Sequence, residues 1–153
     1  MTTRLSDIAT AKPDLIARAS LHIETPGAGI TEFTQDAAAF LAKVAAGDGV
    51  MLAFLRHTSA SLTIQENADP DVQVDLMTAL ARLAPEHAGW VHDAEGPDDM
   101  PAHVKAMLTG VSLHVPVAGG RMMLGTWQGL YLVEHRRRPH GREIVLQFLG
   151  SKR

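Results

Sequence analysis

Apolar and polar residues alternate from Leu15 to Thr25, and this period of two is typical of a strand with one buried face. The apolar run from Val50 to His57 indicates a strand that is buried on both faces. From Ser112 onward, strand-like segments are separated by turns that contain glycine or proline. The pattern as a whole predicts strands at residues 15–25, 50–57, 61–64, 112–117, 122–134 and 142–149.

Two longer segments have the period of a helix. Thr34 is suited to cap the first helix, which we expect to run to about Ala46. Asp69 and Pro70 are suited to the cap and the first position of the second helix. Pro101 can begin a short third helix.

These elements predict the fold class. Consecutive strands joined by tight turns pair antiparallel. We therefore expect an α+β protein: a single domain with a largely antiparallel (mixed) sheet, curled into a sandwich- or barrel-like layer, with two main helices and a short third one. Residues 1–14 are expected to form a loose N-terminal arm, and residues 15–153 the single domain.

Composition narrows the functional classes. The chain has 153 residues, which is enough for one substantial apolar core. Its net charge of −3 gives no general attraction for nucleic acid or anionic membranes, so neither is an expected partner. The longest apolar run is far too short to span a bilayer and the first residues carry no apolar signal core, which favours a cytoplasmic protein. Without cysteine, any metal ion must be held by histidine and carboxylate side chains.

The segment from His92 to His103 contains two imidazoles, four carboxylates, two prolines and one glycine, a mixture that no packed helix or strand needs. Proline and glycine favour an ordered loop. Imidazole and carboxylate groups held close together suit a divalent metal site or an acid/base site, with His92, Glu95 and His103 as candidates. The alternative is a surface loop that caps the next helix, and Asp98 and Asp99 fit that alternative.

Two other segments carry candidate residues. His57 ends a buried strand and is followed by three hydroxyl side chains, a common position for a site on a rigid scaffold. In a regular strand Thr126 and Gln128 would share one face, between two glycines that permit close approach of a ligand or another chain. The remaining polar residues are interpreted as sheet or solvated residues: His22, His87, His114, His135, His140 and Arg136–Arg138.

Five motifs follow one another along the chain: His57-Thr58-Ser59-Ala60, residues 66–72, His92 to Lys105, Leu124 to Gly129, and Glu134-His135-Arg136. In this order they resemble the YjbQ-like family, also called the secondary thiamine-phosphate synthase enzyme family. The likeness covers roughly residues 15–149.

The resemblance implies a homotrimer with a polar pocket at or near the subunit boundary. It implies a site built from His57, His92 and His103, with Glu95, Thr126 and Gln128 nearby, and a divalent metal in some members. The activity it implies, as a secondary reaction, joins a pyrimidine diphosphate to a thiazole phosphate, giving thiamine phosphate and pyrophosphate.

We therefore expect a transferase-like, metal-dependent enzyme that acts on a small phosphorylated substrate. The three histidines would bind the metal, Lys105 would help to neutralise the departing pyrophosphate, and Glu95 would act as a base or as a partner of an imidazole. Three imidazoles favour a zinc-like or nickel-like ion, whereas magnesium would come with the substrate. Two alternatives remain open: a zinc-type hydrolase, and a trimeric metal- or metabolite-binding module without turnover.

Overall fold

The computed structural model describes residues 2–153, which form eight β-strands and three α-helices. The strands are β1 (Leu15–Thr25), β2 (Gly29–Glu32), β3 (Ala46–Leu55), β4 (Ala60–Glu66), β5 (Ser112–Ala118), β6 (Arg121–Met122), β7 (Gln128–Glu134) and β8 (His140–Lys152). The helices are α1 (Thr34–Lys43), α2 (Pro70–Leu83) and α3 (Asp99–Thr109).

Two antiparallel sheets form the framework. The larger sheet has the strand order β1-β8-β3-β5-β6, and the smaller one has the order β2-β7-β4. The long strand β8 pairs with β1 on one side and with β3 on the other. This arrangement confirms the predicted α+β class and its largely antiparallel sheet.

The core lies between the two sheets. Because side chains alternate along a strand, every second residue of β3 and β8 faces inward. These residues pack in one cluster with the inward residues of β4 and β7 and with the buried face of α1. The fully buried members include Phe33, Leu41, Met51, Leu55, Leu62, Leu130, Leu132, Ile144 and Phe148.

The start of α2 agrees with the sequence, whereas the start of α1 does not. The Asp69 carboxylate accepts a hydrogen bond of 2.9 Å from the Asp71 amide, and Pro70 is the first residue of α2. For α1 the N-cap is Phe33, without a side-chain cap bond. The hydroxyl of Thr34 instead donates to Glu32 (2.7 Å), so its predicted role as a cap is wrong.

Other elements also differ from the prediction. The strand expected at residues 122–134 is interrupted, because β6 ends at Met122 and β7 begins only at Gln128. The third helix begins at Asp99 and has 11 residues, so it is as long as α1, with 10. The short strand β2 was not predicted.

Residues 2–14 contain neither helix nor strand, and Met1, the first residue of the predicted arm, lies outside the described residues. Within residues 2–153, no helix is both long enough and apolar enough to cross a membrane.

Candidate metal centre

The first turn of α3 and the loop before it build the most concentrated polar site. Asp99 and His103 are four residues apart on α3, so their side chains lie on the same helix face. The loop between α2 and α3 brings His92 to the same place. The His92 and His103 ring centroids are 5.7 Å apart.

One carboxylate oxygen lies between the two rings. Asp99 Oδ2 is 2.7 Å from His92 Nε2 and 3.1 Å from His103 Nε2. One donor atom from each of these three residues lies within 4.8 Å of the others. We call His92, Asp99 and His103 the metal-centre triad.

The tautomer of His103 determines what the triad can bind. Its Nδ1 is 2.9 Å from the carbonyl oxygen of Thr58, which can only accept a hydrogen bond, so Nδ1 carries a proton. In a neutral ring, Nε2 then directs its lone pair towards Asp99 Oδ2. Two lone pairs at this distance repel each other unless a proton or a cation lies between them. A hydrogen bond from Nδ1 to a carbonyl oxygen is the usual way in which a histidine is oriented to bind a metal through Nε2.

Asp99 is held in its ionised form. Its side chain is only 2% exposed, and burial opposes ionisation. The hydrogen bond with His92 and the positive charge of Arg136 outweigh burial and hold the pKa of Asp99 below its usual value. The Arg136 guanidinium binds Asp99 Oδ1, which leaves Oδ2 for the triad.

Arg136 organises the loop as well as the carboxylate. It donates from Nε to Asp98 Oδ2 (3.2 Å) and from Nη2 to the carbonyl oxygen of Glu95 (2.9 Å). Asp98 is the N-cap residue of α3, but it makes no side-chain cap bond. Its carboxylate accepts from Arg136 and from the Arg137 amide instead. The interpretation of the Arg136–Arg138 segment as a solvated turn is therefore wrong for Arg136.

His57 does not belong to the triad. Its Nε2 accepts a hydrogen bond of 2.9 Å from the Glu143 amide. Burial, together with the positive charge of Arg142, lowers the pKa of His57. Of the three imidazoles expected to converge, two do so, and Asp99 occupies the place expected for the third.

The other predicted site residues are not members of the triad. Glu95 contributes its main-chain oxygen, and its side chain is exposed. Lys105 is half-buried on α3, and burial lowers its pKa. Thr126 lies in the turn before β7 and Gln128 is the first residue of β7, so the two do not share a strand face as predicted. Arg136 follows the end of β7, so about 20 Å of strand separates it from Gln128 within one chain.

A second polar cluster lies beneath α3. His135 is 3% exposed, so its predicted position in solvent is wrong. Its Nε2 is 2.8 Å from the hydroxyl of the fully buried Ser61. Burial, assisted by the positive charge of Lys105, lowers the pKa of His135 to about 4.

The pKa of His135 predicts acid sensitivity. An unfolded chain would protonate this ring near pH 6.5, whereas the folded chain does so near pH 4. Between these values the unfolded state binds more protons, so the free energy of unfolding should fall by about 3 kcal/mol as the pH drops. Urea titrations of metal-free protein from pH 7 to 4 should show a weaker pH dependence for His135→Gln. The exposed His114→Gln is the control, and equal slopes for all three proteins would contradict the prediction.

Fold and site together define a small α+β protein with two antiparallel sheets and a cluster of two histidines and one aspartate at a helix start. The family model described as UPF0047 protein YjbQ-like matches residues 19–151. The UPF0047 protein sll1880 of Synechocystis is 47% identical over 132 residues, covering 86% of this chain and 90% of that protein. The chain belongs to the YjbQ-like UPF0047 family, which confirms the predicted resemblance.

Solved structures have the same fold. A conserved hypothetical protein of Thermus thermophilus is 38% identical, with a TM-score of 0.74 over 83% of this chain and 97% of that chain. A hypothetical protein of Aeropyrum pernix is 26% identical, with a TM-score of 0.82 over 88% of this chain and 99% of that one. Both names leave the activity open, so a function must be argued from the site.

Proposed function

We propose that the chain is a divalent-metal-dependent enzyme whose ion is held by His92, Asp99 and His103. The observation that carries the proposal is that Nε2 of His92 and Nε2 of His103 meet the same oxygen of the ionised Asp99, at 2.7 and 3.1 Å. Two histidines and one carboxylate are a common ligand set of catalytic metal sites, which leave a position open for water or substrate.

The proposed reaction is transfer between small phosphorylated molecules, similar to the joining of a pyrimidine diphosphate and a thiazole phosphate with release of pyrophosphate. A carboxylate in place of a third imidazole makes the ligand set harder and better suited to a metal that meets phosphate oxygen. The bound ion would neutralise the charge that develops on the leaving pyrophosphate. Lys105 on the same helix would supply a second positive charge.

Hydrolysis is the second candidate. The combination of two histidines with one carboxylate is also the ligand set of zinc hydrolases, in which the ion activates water. In this reaction Asp99 keeps the same role, because Arg136 fixes the carboxylate whichever substrate binds.

We also propose that the chain acts as a homotrimer. The outer face of the larger sheet carries exposed apolar side chains, among them Ile16 (70% exposed) and Leu149 (39%) on neighbouring strands. Helix α2 has no buried residue, and its Val74 is 63% exposed. Contiguous exposed apolar surface of this kind favours a subunit interface. Sedimentation velocity should show three times the chain mass, and Ile16→Lys should shift the protein towards monomer; a monomeric wild type would contradict the proposal.

Elemental analysis tests the metal. Wild-type protein should retain about one divalent transition-metal ion per chain after desalting, and the double variant His92→Ala, His103→Ala should retain none. The exposed His22→Ala is the matched control and should keep the ion. Equal metal content in all three proteins would overturn the proposal.

An activity assay then separates the candidate reactions. Formation of thiamine phosphate that depends on added metal and is lost in the double variant would support the transferase. Metal-dependent release of inorganic phosphate or pyrophosphate without joining would support the hydrolase. Metal binding without turnover of either kind would indicate a binding module.

A further inference from the structure

A cavity of about 450 Å³ lies between helix α1 and the chain segment at residues 120–124. It is separate from the metal centre, because none of the three triad residues lines it. Cavities of roughly 300–1,000 Å³ are typical of small-molecule sites. The cavity is therefore a candidate for a second binding site on the chain.

The floor of the cavity is apolar. Ala38, Leu41 and Ala42 follow one another at intervals of three and one along α1, so they lie on one side of the helix. Met122 and Leu124 line the opposite side, and both are only partly buried. Covering such side chains with a hydrocarbon group removes apolar surface from water, which is favourable.

Two arginine side chains supply the charge of the wall. Arg121 and Arg153 both line the cavity and both are exposed. In the described part of the chain, neither guanidinium forms an ion pair with a carboxylate. The hydroxyl of Thr34, the other polar side chain of the wall, already donates to Glu32 (2.7 Å). The cavity therefore offers a ligand two positive charges above an apolar floor.

The backbone brings the two arginines to the same cavity. Arg121 directly follows Gly120, whose φ of +76° favours glycine. A Cβ atom at Gly120 would lie 2.6 Å from the carbonyl oxygen of Ala46 and 2.9 Å from the guanidinium carbon of Arg153. The Arg153 amide donates to the carbonyl oxygen of Ala45 (2.8 Å), which holds the chain after β8 at this place. The glycine thus lets the side chain of Arg153 lie beside that of Arg121.

This wall selects a ligand by charge and by polarity. The planar fork of a guanidinium matches a carboxylate, to which it can donate two parallel hydrogen bonds. A cation would be repelled by both arginines. A small anion without an apolar part would leave the floor in contact with water.

We infer that this cavity binds a carboxylic acid with a short hydrocarbon chain. The carboxylate lies between Arg121 and Arg153, and the hydrocarbon chain lies against Leu41 and Met122. The site needs no metal ion, so the inference goes beyond the proposed function and neither depends on the other.

Calorimetric titration with octanoate, acetate and octylamine tests the inference. Octanoate should bind about tenfold more tightly than acetate, or more, because acetate buries almost no hydrocarbon. Octylamine has the same chain with the opposite charge and should bind about tenfold more weakly than octanoate. The double variant Arg121→Gln, Arg153→Gln should lower the affinity for octanoate about tenfold, in line with the loss of hydrogen bonds to a charged group. Arg18→Gln is the matched control, since Arg18 is also exposed and does not line the cavity.

A second pair of variants tests the position of the hydrocarbon chain. Ala42→Phe should fill the cavity and abolish the binding of octanoate. Ala39→Phe is the matched control, because Ala39 is exposed on the same helix and does not line the cavity. It should bind octanoate as the wild type does.

The outcomes separate this site from the metal centre and from other occupants. Equal affinities for octanoate and octylamine, or unchanged octanoate binding in the double arginine variant or in Ala42→Phe, would overturn the inference. If removal of residues 2–12 raised the affinity for octanoate, the N-terminal arm would be the occupant, and the inference would be wrong. It would also be wrong if Ala42→Phe lowered the sedimentation coefficient, because the cavity would then be a contact between copies of the chain. The double variant His92→Ala, His103→Ala should bind octanoate like the wild type, and a loss of binding there would contradict a separate site.

Discussion

Asp99→Asn is expected to weaken zinc binding by about a hundredfold or more, because the substitution removes the only carboxylate ligand of the triad. The amide has almost the same shape, but it carries no negative charge, and its oxygen is a poorer ligand. Arg136 would also lose one of the two carboxylates that it now binds. Competition with a chromophoric chelator measures the affinity.

Asp93→Asn is the matched control for this prediction. Asp93 is exposed, lies in the loop next to His92, and undergoes the same chemical change. Its zinc affinity should equal that of the wild type. His57→Ala should also keep its zinc, since the Nε2 of His57 is bound to the Glu143 amide. Retention of zinc by Asp99→Asn, or its loss from His57→Ala, would show that the ligand set described above is wrong.

The contrast between Asp99 and His57 shows what the sequence could predict of the site. The composition of residues 92–103, with two histidines and four carboxylates, singles out the segment in which the structure places the cluster of His92, Asp99 and His103. The sequence instead assigns Asp99, together with Asp98, to the capping alternative, because both lie just ahead of the helix predicted from Pro101. The spacing of Asp99 and His103, four residues on one helix, was the signal that could have identified it.

Arg136 could not be predicted from local sequence. It reaches Asp99 across 37 positions of the chain, after β7 has crossed the smaller sheet. Within a run of three arginines, nothing in the pattern distinguishes the one that binds Asp98 and Asp99. The burial of His135 could not be predicted from local sequence either. Its polar neighbours indicate a solvated side chain, whereas the folded chain leaves it only 3% exposed.

The fold was more predictable than the site, because long strands and helices repeat their pattern over many residues. The predicted strands at residues 15–25, 50–57 and 142–149 correspond to β1, β3 and β8, although β3 and β8 are longer than predicted. The break before β7 is a turn closed by two hydrogen bonds: the Gly125 amide donates to Gln128 Oε1 (2.8 Å), and the Gln128 amide donates to the Gly125 carbonyl oxygen (3.0 Å). Hydrophobic periodicity carries no information about such bonds.

Arg142→Met is expected to lower the free energy of unfolding by about 3–5 kcal/mol, because it leaves the charge of Glu134 buried and without its ion-pair partner. Arg142 is 4% exposed and Glu134 1%. Two hydrogen bonds join them, from Nε to Oε2 (2.7 Å) and from Nη2 to Oε1 (2.6 Å). Burial opposes ionisation of Glu134, but these bonds and those from the Arg136 amide and Thr25 outweigh it and hold its pKa low.

Arg56→Met is the matched control, because Arg56 forms an ion pair with Glu143 at the surface, where it is 59% exposed. Its loss should cost less than about 1 kcal/mol. Urea denaturation measures both values, and equal costs would contradict the prediction. The double variant Glu134→Gln, Arg142→Met should recover part of the loss, since no buried charge remains.

The same substitution should also affect the metal centre. Glu134 Oε1 accepts a hydrogen bond from the Arg136 amide (2.9 Å), so Arg142→Met should weaken zinc binding, whereas Arg56→Met should leave it unchanged.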